Sequence, residues 1–451
     1  MPPRRRRKTE PAAAATDALL SLPTEVLDDI LARVGLRDAV RTSVLSRAWT
    51  RRWEFIPSID ISAEDGGMWK APSAVDGILL RFPGRVRRFH VSLEKATSCR
   101  VNDWLPTLSR RGVESLSVKL RSHIQRDFRP PRLHESVFYC SSLTVLSLST
   151  CTMPSFPMDW GFPNLRSLIL SNVRFLEEYG HDQLQEIIET CPLLEDLRLV
   201  KVDLYGDIEF VMQAPKLRFL TLGFIEEFGC ILQELPRLHS AALDMWNYVP
   251  SNFAELLAAL VQARNLQLRL CTEGGWEDGW VHDHWRPTIP RKLPCTFHNL
   301  KSLKLHMDFS EPTPIELTFL LLKSAPNLQI LKLVLRNIIN IIMSNGEREY
   351  DENDTVFLNE QWEDGMCANL QVVHMDGVYW LPDEMSFMEL ILSKASLLRT
   401  LSVSYLVENA TLMRALQRSN KASPQAQVLF KVTEVGEDYN RQHLPCIAEG
   451  M

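Results

Sequence analysis

The sequence predicts an α/β chain: a long solenoid of short parallel strands, preceded by a small bundle of three helices. Two observations predict it. A hydrophobic template, L-x-x-L-x-L, recurs from residue 86 to residue 403. Ahead of it, residues 22–57 (LPTEVLDDILARVGLRDAVRTSVLSRAWTRRWEFIP) carry apolar residues at helical spacing. The length of 451 residues agrees, since a single compact core stops growing well below that size.

The elements follow in chain order. Residues 1–16 (MPPRRRRKTEPAAAAT) form a biased tail, expected to be disordered. Its basic run, Arg4, Arg5, Arg6, Arg7 and Lys8, reads as a nuclear-import signal or as a solvated charged end. Residues 17–57 form the bundle. Pro23 suits the first turn of a helix, where its missing N–H is not needed. Val26, Leu27, Ile30, Leu31 and Val34 share one face behind it, and Gly35 ends the helix. Asp38 is placed to cap a second helix with Val40, Val44 and Leu45 on its apolar face. Ser46 is placed to cap a third, with Trp49 and Trp53 four apart. Domains below roughly 40 residues need support from elsewhere, so this bundle should lean on the rest of the chain, on a partner, or on both.

Residues 58–84 read as a join, rich in Gly and Pro (Gly66, Gly67, Pro72, Pro83, Gly84). The repeats fill 85–369. Clear copies of the template are Leu143-Leu146-Leu148, Leu165-Leu168-Leu170, Leu194-Leu197-Leu199 and Leu217-Leu220-Leu222. It recurs at Leu300-Leu303-Leu305, Leu328-Leu331-Leu333 and Leu398-Leu401-Val403. Weaker copies begin at Val86, Val113, Leu238, Ala263 and Leu370. In several copies another apolar residue follows three positions on, as at Cys151, Val173 and Val202.

The last two apolar positions of each copy alternate, so they share one side of a strand. Successive copies lie 21 to 42 residues apart, and most steps fall within the 20–30 window of leucine-rich repeats. Such a strand cannot bury its apolar face alone, but stacked on its neighbours it can. Helical stretches at 181–191, 253–263, 318–325 and 388–395 should cover the convex side. Prolines at 163, 192, 215, 236 and 326 mark the return to the next strand.

Two steps are too long and mark insertions. The first, 271–292, holds Trp276, Trp280 and Trp285 among acidic residues; it reads as a partner-binding loop or as a cover for the solenoid edge. The second, 344–367, is strongly acidic and reads as an exposed segment. Residues 370–440 add two more repeat units, then a turn and a last strand at KASPQAQVLF that should cap the open end.

Composition narrows the function. The formal net charge of -6 argues against a nucleic-acid partner. No run of 18 apolar residues occurs, and the apolar stretch after the basic tail is too short for a signal-peptide core, so no membrane partner is expected. The nine cysteines are odd in number and widely spaced without a CxxC, as in a reduced intracellular protein of the nucleus and/or cytoplasm. His282 and His284 are the one close histidine pair, and with no third ligand at set spacing they read as solvated. No phosphate loop, GxSxG or HExxH is present, so no catalytic residue, metal or cofactor is expected.

The bundle resembles an F-box: the Leu22-Pro23 start, the DAVRTSVLS centre at 38–46 and the W-x3-W-x3-P end at Trp49, Trp53 and Pro57 are typical of plant members. Residues 370–430 resemble the FBD region at the end of many plant F-box proteins, with Trp362 and Cys367 in their usual places and Gly377 after the first strand. A second glycine usual in that family is replaced here by Trp380 or Leu381. The resemblance implies a non-catalytic, target-recognising subunit of an SCF-type cullin–RING ubiquitin ligase, with the F-box on a Skp-type adaptor and the repeats on a target protein. A binding scaffold outside any ligase, or a small-molecule co-receptor, are the alternatives. The adaptor-facing residues implied are Leu22, Pro23, Val26, Leu27, Ile30, Leu31, Val40, Val44, Leu45 and Trp49, about half of them expected to face the partner and the rest the bundle's own interior.

Overall fold

The structure is a computed structural model. It describes residues 23–45, 49–56, 58–63, 72–94, 99–121, 130–155, 160–175, 180–204, 210–223, 230–233, 235–246, 253–271, 292–307, 309, 312–335, 362–363 and 365–433. The chain divides into two compact units, Met1–Arg121 and Ser122–Met451.

The first unit contains the bundle. Helix α1 (Thr24–Arg33) follows Pro23, and α2 (Leu36–Arg41) runs into a 3-10 turn at Thr42–Val44. Gly35 is the N-cap of α2, and Asp38 lies inside that helix, so the expected cap at Asp38 is corrected. The expected third helix is also corrected: its described part is a 3-10 turn, Arg52–Phe55, followed by extended backbone at Ile56. Pro57 explains the stop, because a residue before proline is pushed out of the helical region. Trp49 and Trp53 are nonetheless both buried.

The stretch expected to be a mere join carries the first repeat unit. Strand β1 (Ser58–Ala63) precedes α3 (Pro72–Arg81), then come β2 (Arg85–Glu94), α4 (Arg100–Arg110) and β3 (Ser115–Arg121). SIDISA has no leucine, so the template misses β1. The strands β1, β2 and β3 pair in parallel in that order. The bundle rests on this part of the chain: the Trp53 ring stacks on Phe82 at 6.4 Å, and Ile56 is buried. Thus the support that so small a bundle needs comes partly from its own first repeats.

In the second unit, eleven parallel strands stand side by side. They include β4 (Val145–Thr152), β5 (Ser167–Arg174), β6 (Asp196–Asp203), β8 (Phe219–Gly223), β10 (Ser240–Trp246) and β11 (Asn265–Cys271). The array continues with β12 (Ser302–Met307), β13 (Ile330–Leu335), β14 (Val372–Val378), β15 (Thr400–Tyr405) and β16 (Gln427–Val432). The register aligns the template across strands: Leu168, Leu197, Leu220, Ala241, Leu266, Leu303, Leu331, Val373 and Leu401 form one column, each at most 1% exposed. Each leucine so buried contributes about 1.5–3 kcal/mol.

The first leucine of each copy closes a turn. Leu165 N–H donates to Phe162 O at 3.1 Å, Leu217 to Ala214 O at 3.0 Å and Leu328 to Ala325 O at 3.2 Å. The prolines at 163, 215 and 326 therefore sit at the second turn position, where their fixed φ fits. Asparagines in these turns tie neighbouring units together: Asn327 Nδ2 donates to His298 O at 2.9 Å and Asn369 Nδ2 to Pro326 O at 3.0 Å.

Helices α5 (Gly180–Glu189), α6 (Phe253–Ala259), α7 (Pro312–Ser324) and α8 (Pro382–Lys394) occupy the four expected helical stretches. A further helix, α9 (Ala410–Arg418), stands before the last strand. Between β6 and β8 and between β8 and β10, where two short steps follow one another, two short parallel strands, β7 (Phe210–Met212) and β9 (Cys230–Leu232), stand in place of a helix. The last strand, β16, pairs with β15 alone among the described residues, and its Leu429 and Val432 remain exposed. The expected cap is in this respect incomplete within the described residues.

The apolar residue three beyond the template has a backbone explanation. Thr150, Asn172 and Lys201 have φ of 61°, 53° and 53°, and each stands between two register pairs. One left-handed residue breaks the alternation, so Cys151 and Val173 turn inward and are buried. Asparagine tolerates this conformation, whereas it strains a β-branched residue by roughly 1–2 kcal/mol. Asn172→Val is therefore expected to lower stability by about that amount and Asn172→Gly by far less. Urea unfolding of both variants checks this; equal losses would show that the backbone is not the cause.

Candidate functional site

Two surfaces concentrate features that the core does not explain. The first is on the bundle. Helix α1 carries two apolar faces: Leu27 and Leu31 are buried, while Val26, Ile30 and Val34 are exposed. Beyond α2, Val44 and Leu45 are 87% and 61% exposed, and Phe55 is 73% exposed. Exposed large apolar side chains gathered in so short a stretch mark an interaction surface. Beneath them the bundle is fastened by polar contacts. Arg52 Nε donates to Asp28 Oδ1 at 3.4 Å, and its guanidinium carbon lies 5.8 Å from the centre of the Trp49 ring. Buried Glu54 accepts from Arg51 Nε at 2.9 Å.

The second surface is the strand face opposite the leucine column, on β10 to β14. There Asp244, Arg269 and His306 stand side by side in register, and Lys304, Lys332 and His374 form the next row. Asp244 is buried and pairs with Arg269 at 3.2 Å. Burial pushes the Asp244 carboxyl above its ordinary range, against the pull of Arg269 and Lys201. Burial, then Arg269 and Lys304, push the His306 imidazole down to about 3. Burial and Lys332 also lower His374, opposed by Asp376.

His306 makes this face acid-sensitive. The unfolded chain takes up the proton near pH 6.5 and the folded chain only near 3, so this group's contribution to stability is lost as the pH falls through that window, by up to about 1.4 kcal/mol per unit. Asp244 acts in the opposite sense, since its folded pKa is raised and folding is favoured as it protonates. His306→Gln removes the first effect and leaves the second. Its unfolding midpoint is expected to rise relative to wild type between about pH 7 and about pH 5. A constant difference across that range would refute the assignment.

The buried cysteines do not form a reactive centre: burial pushes the thiols of Cys140, Cys151, Cys191 and Cys367 up to about 12. Among the described residues, no helix is long and apolar enough to cross a membrane.

Comparison with known proteins finds an F-box domain where the bundle lies. The F-box domain model matches residues 19–54. A second model, for the leucine-rich repeats of FBD-associated F-box protein At5g56370, matches residues 101–333, more than half of the chain. The chain belongs to the FBD-associated F-box proteins with leucine-rich repeats. F-box/FBD/LRR-repeat protein At1g13570 of Arabidopsis thaliana is 26% identical, over 92% of this chain and 98% of the relative. FBD-associated F-box protein At5g38590 of the same plant is 26% identical over 70% of this chain and 78% of its own length. FBD-associated F-box protein At5g60610, also from that plant, is 24% identical over 86% of this chain and 100% of its own.

An F-box domain implies a Skp-type adaptor as partner. Of the residues expected to face it, Pro23, Val26, Ile30, Val44 and Leu45 are exposed and Val40 is half-buried. Leu27, Leu31 and Trp49 are buried and build the F-box itself, because one side of α1 and the Trp49 ring supply its interior. Leu22 lies outside the described residues, as do Trp276, Trp280 and Trp285 and the basic run Arg4 to Lys8. Sequence reasoning passes over Phe55, which sits off the spacing of Trp49 and Trp53; that offset is the one signal that it points away from them. It also passes over the Asp244–Arg269 pair, whose members are far apart in sequence and meet only through strand register.

Proposed function

We propose that this chain is the target-recognising subunit of an SCF-type cullin–RING ubiquitin ligase. Its F-box takes a Skp-type adaptor and through it a cullin, and its repeats hold the protein to be ubiquitinated. One observation carries the reading: an F-box with exposed apolar side chains lies on the same chain as a long repeat array. The chain's contribution is proximity. Holding a target's lysines beside the charged conjugating enzyme raises their effective concentration, and catalysis lies in other subunits.

The test is capture. Purified full-length chain is expected to form a complex with a Skp-type adaptor on gel filtration, and Leu22→Ala with Pro23→Ala is expected to abolish it without changing the circular dichroism. Undiminished capture by the double variant defeats the assignment. The half-life of captured proteins, with and without this chain, separates a ligase subunit from a scaffold: a scaffold leaves it unchanged.

A further inference from the structure

We propose that the row of turns leading into β8, β10, β11 and β12 docks a short, extended acidic segment of the target protein. The proposal rests on the ligase reading above and names the chemistry of the target.

Basic residues gather where these turns enter their strands. The residue after the turn leucine is Arg218 before β8, His239 before β10, Arg264 before β11 and Lys301 before β12. The backbone sets them on consecutive rungs. His239 N–H donates to Arg218 O at 2.8 Å, Arg264 N–H to His239 O at 2.9 Å and Lys301 N–H to Arg264 O at 2.8 Å. Lys216 and Arg237 stand two residues ahead of Arg218 and His239, each across a buried leucine. Arg218, Arg237, Arg264 and Lys301 are exposed and Lys216 is half-buried, so their charged ends are open to a partner.

Acid is scarce in this row. Glu195, on the rung before Arg218, already holds Arg166 and lies 4.0 Å from Arg218. One unit beyond Lys301, Lys323 is answered by Glu363 at 3.0 Å. Between these pairs, Lys216, Arg237, Arg264 and Lys301 have no ion pair among the described residues. Like charges on neighbouring rungs repel, and an anion laid along the row relieves them. The row is also partly preset. The Arg218 guanidinium lies 5.6 Å from the centre of the Phe219 ring, and the His239 ring meets the same ring edge-on at 6.1 Å. Groups held in place beforehand lower the cost of binding.

The span selects the anion. With rungs about 4.8 Å apart, Arg218 and Lys301 are separated by about 14 Å. A small anion meets one or two of the exposed ends. An extended peptide advances about 3.3 Å per residue, so about five residues run the length of the row and bring several carboxylates to it. A nucleic acid is disfavoured, because the formal net charge of -6 repels a long polyanion.

A fluorescein-labelled hexaglutamate peptide tests this on the full chain by fluorescence anisotropy. The peptide is expected to bind, with affinity falling as salt is added. Arg237→Glu with Arg264→Glu is expected to weaken it by about tenfold, since two attractions become repulsions. Arg414→Glu with Arg418→Glu, on α9, makes the same change in net charge and is expected to leave binding as it is. If the reversal disturbs folding, Arg237→Gln with Arg264→Gln gives the same reading with a smaller loss. Absent binding, equal losses in the turn and α9 variants, or displacement of the peptide by citrate at equal total charge would each overturn the proposal, the last in favour of a small-anion site. A uridine hexanucleotide that binds more tightly than the peptide, and is lost in the same turn variant, overturns it in favour of RNA. Adaptor capture is measured on the same samples. Peptide binding retained with capture lost defeats the ligase reading and leaves the acidic site standing; the reverse defeats the site alone.

Discussion

Val44→Glu combined with Leu45→Glu is expected to abolish capture of a Skp-type adaptor while leaving the thermal unfolding midpoint in place. The side chains are 87% and 61% exposed, so the fold gains little from them and loses little when they change. Their burial against a partner is worth about 1.5–3 kcal/mol each. Carboxylates at the same points both forfeit that gain and resist desolvation. Together the changes remove about 4 kcal/mol or more, close to a thousandfold in affinity. Surface plasmon resonance against immobilised adaptor measures it. Leu31→Ala supplies the contrast: that side chain is buried, so stability should fall by about 2–5 kcal/mol and adaptor capture should suffer only through unfolding. If the double glutamate variant binds as well as wild type, the exposed side chains are not the interface.

The largest effect on stability is expected from Phe387→Ala. This ring, wholly buried in α8, lies 5.5 Å from Phe309 and 6.0 Å from Phe319, so three aromatic rings meet between two repeat units. Truncation removes the transfer energy of the ring and leaves a cavity that the neighbouring backbones cannot close, a loss of about 3–5 kcal/mol. Because each repeat relies on its neighbours, the defect should loosen the units on both sides of α8. Hydrogen exchange would show this as faster exchange in β12 to β15. Protection unchanged in those strands would show that the repeats are not coupled through this cluster.

Much of this protein is legible before any coordinates. Leucine spacing predicts all twelve template strands and the four helical stretches. A parallel array has one way to bury its apolar column, and the period reports it directly. Strand β1 escapes because it uses isoleucine and carries no L-x-x-L start. The third F-box helix is overestimated because Trp49 and Trp53 satisfy helical spacing, while Pro57 limits what the backbone can do.

The candidate sites divide along the same line. The order of residues by itself determined the F-box, the repeat period and the left-handed positions' apolar followers, all of which depend on near neighbours in the chain. Which side of α1 faces inward was decided by tertiary structure, since Val26, Leu27, Ile30 and Leu31 are equally apolar and only packing ranks them. So was the polar face of β10 to β14. Asp244, Arg269 and His306 are separated by a helix, an insertion and two turns, and each alone is an ordinary outward strand residue. Parallel register sets them side by side and burial alters their acidity, and neither effect leaves a trace in the spacing of the sequence.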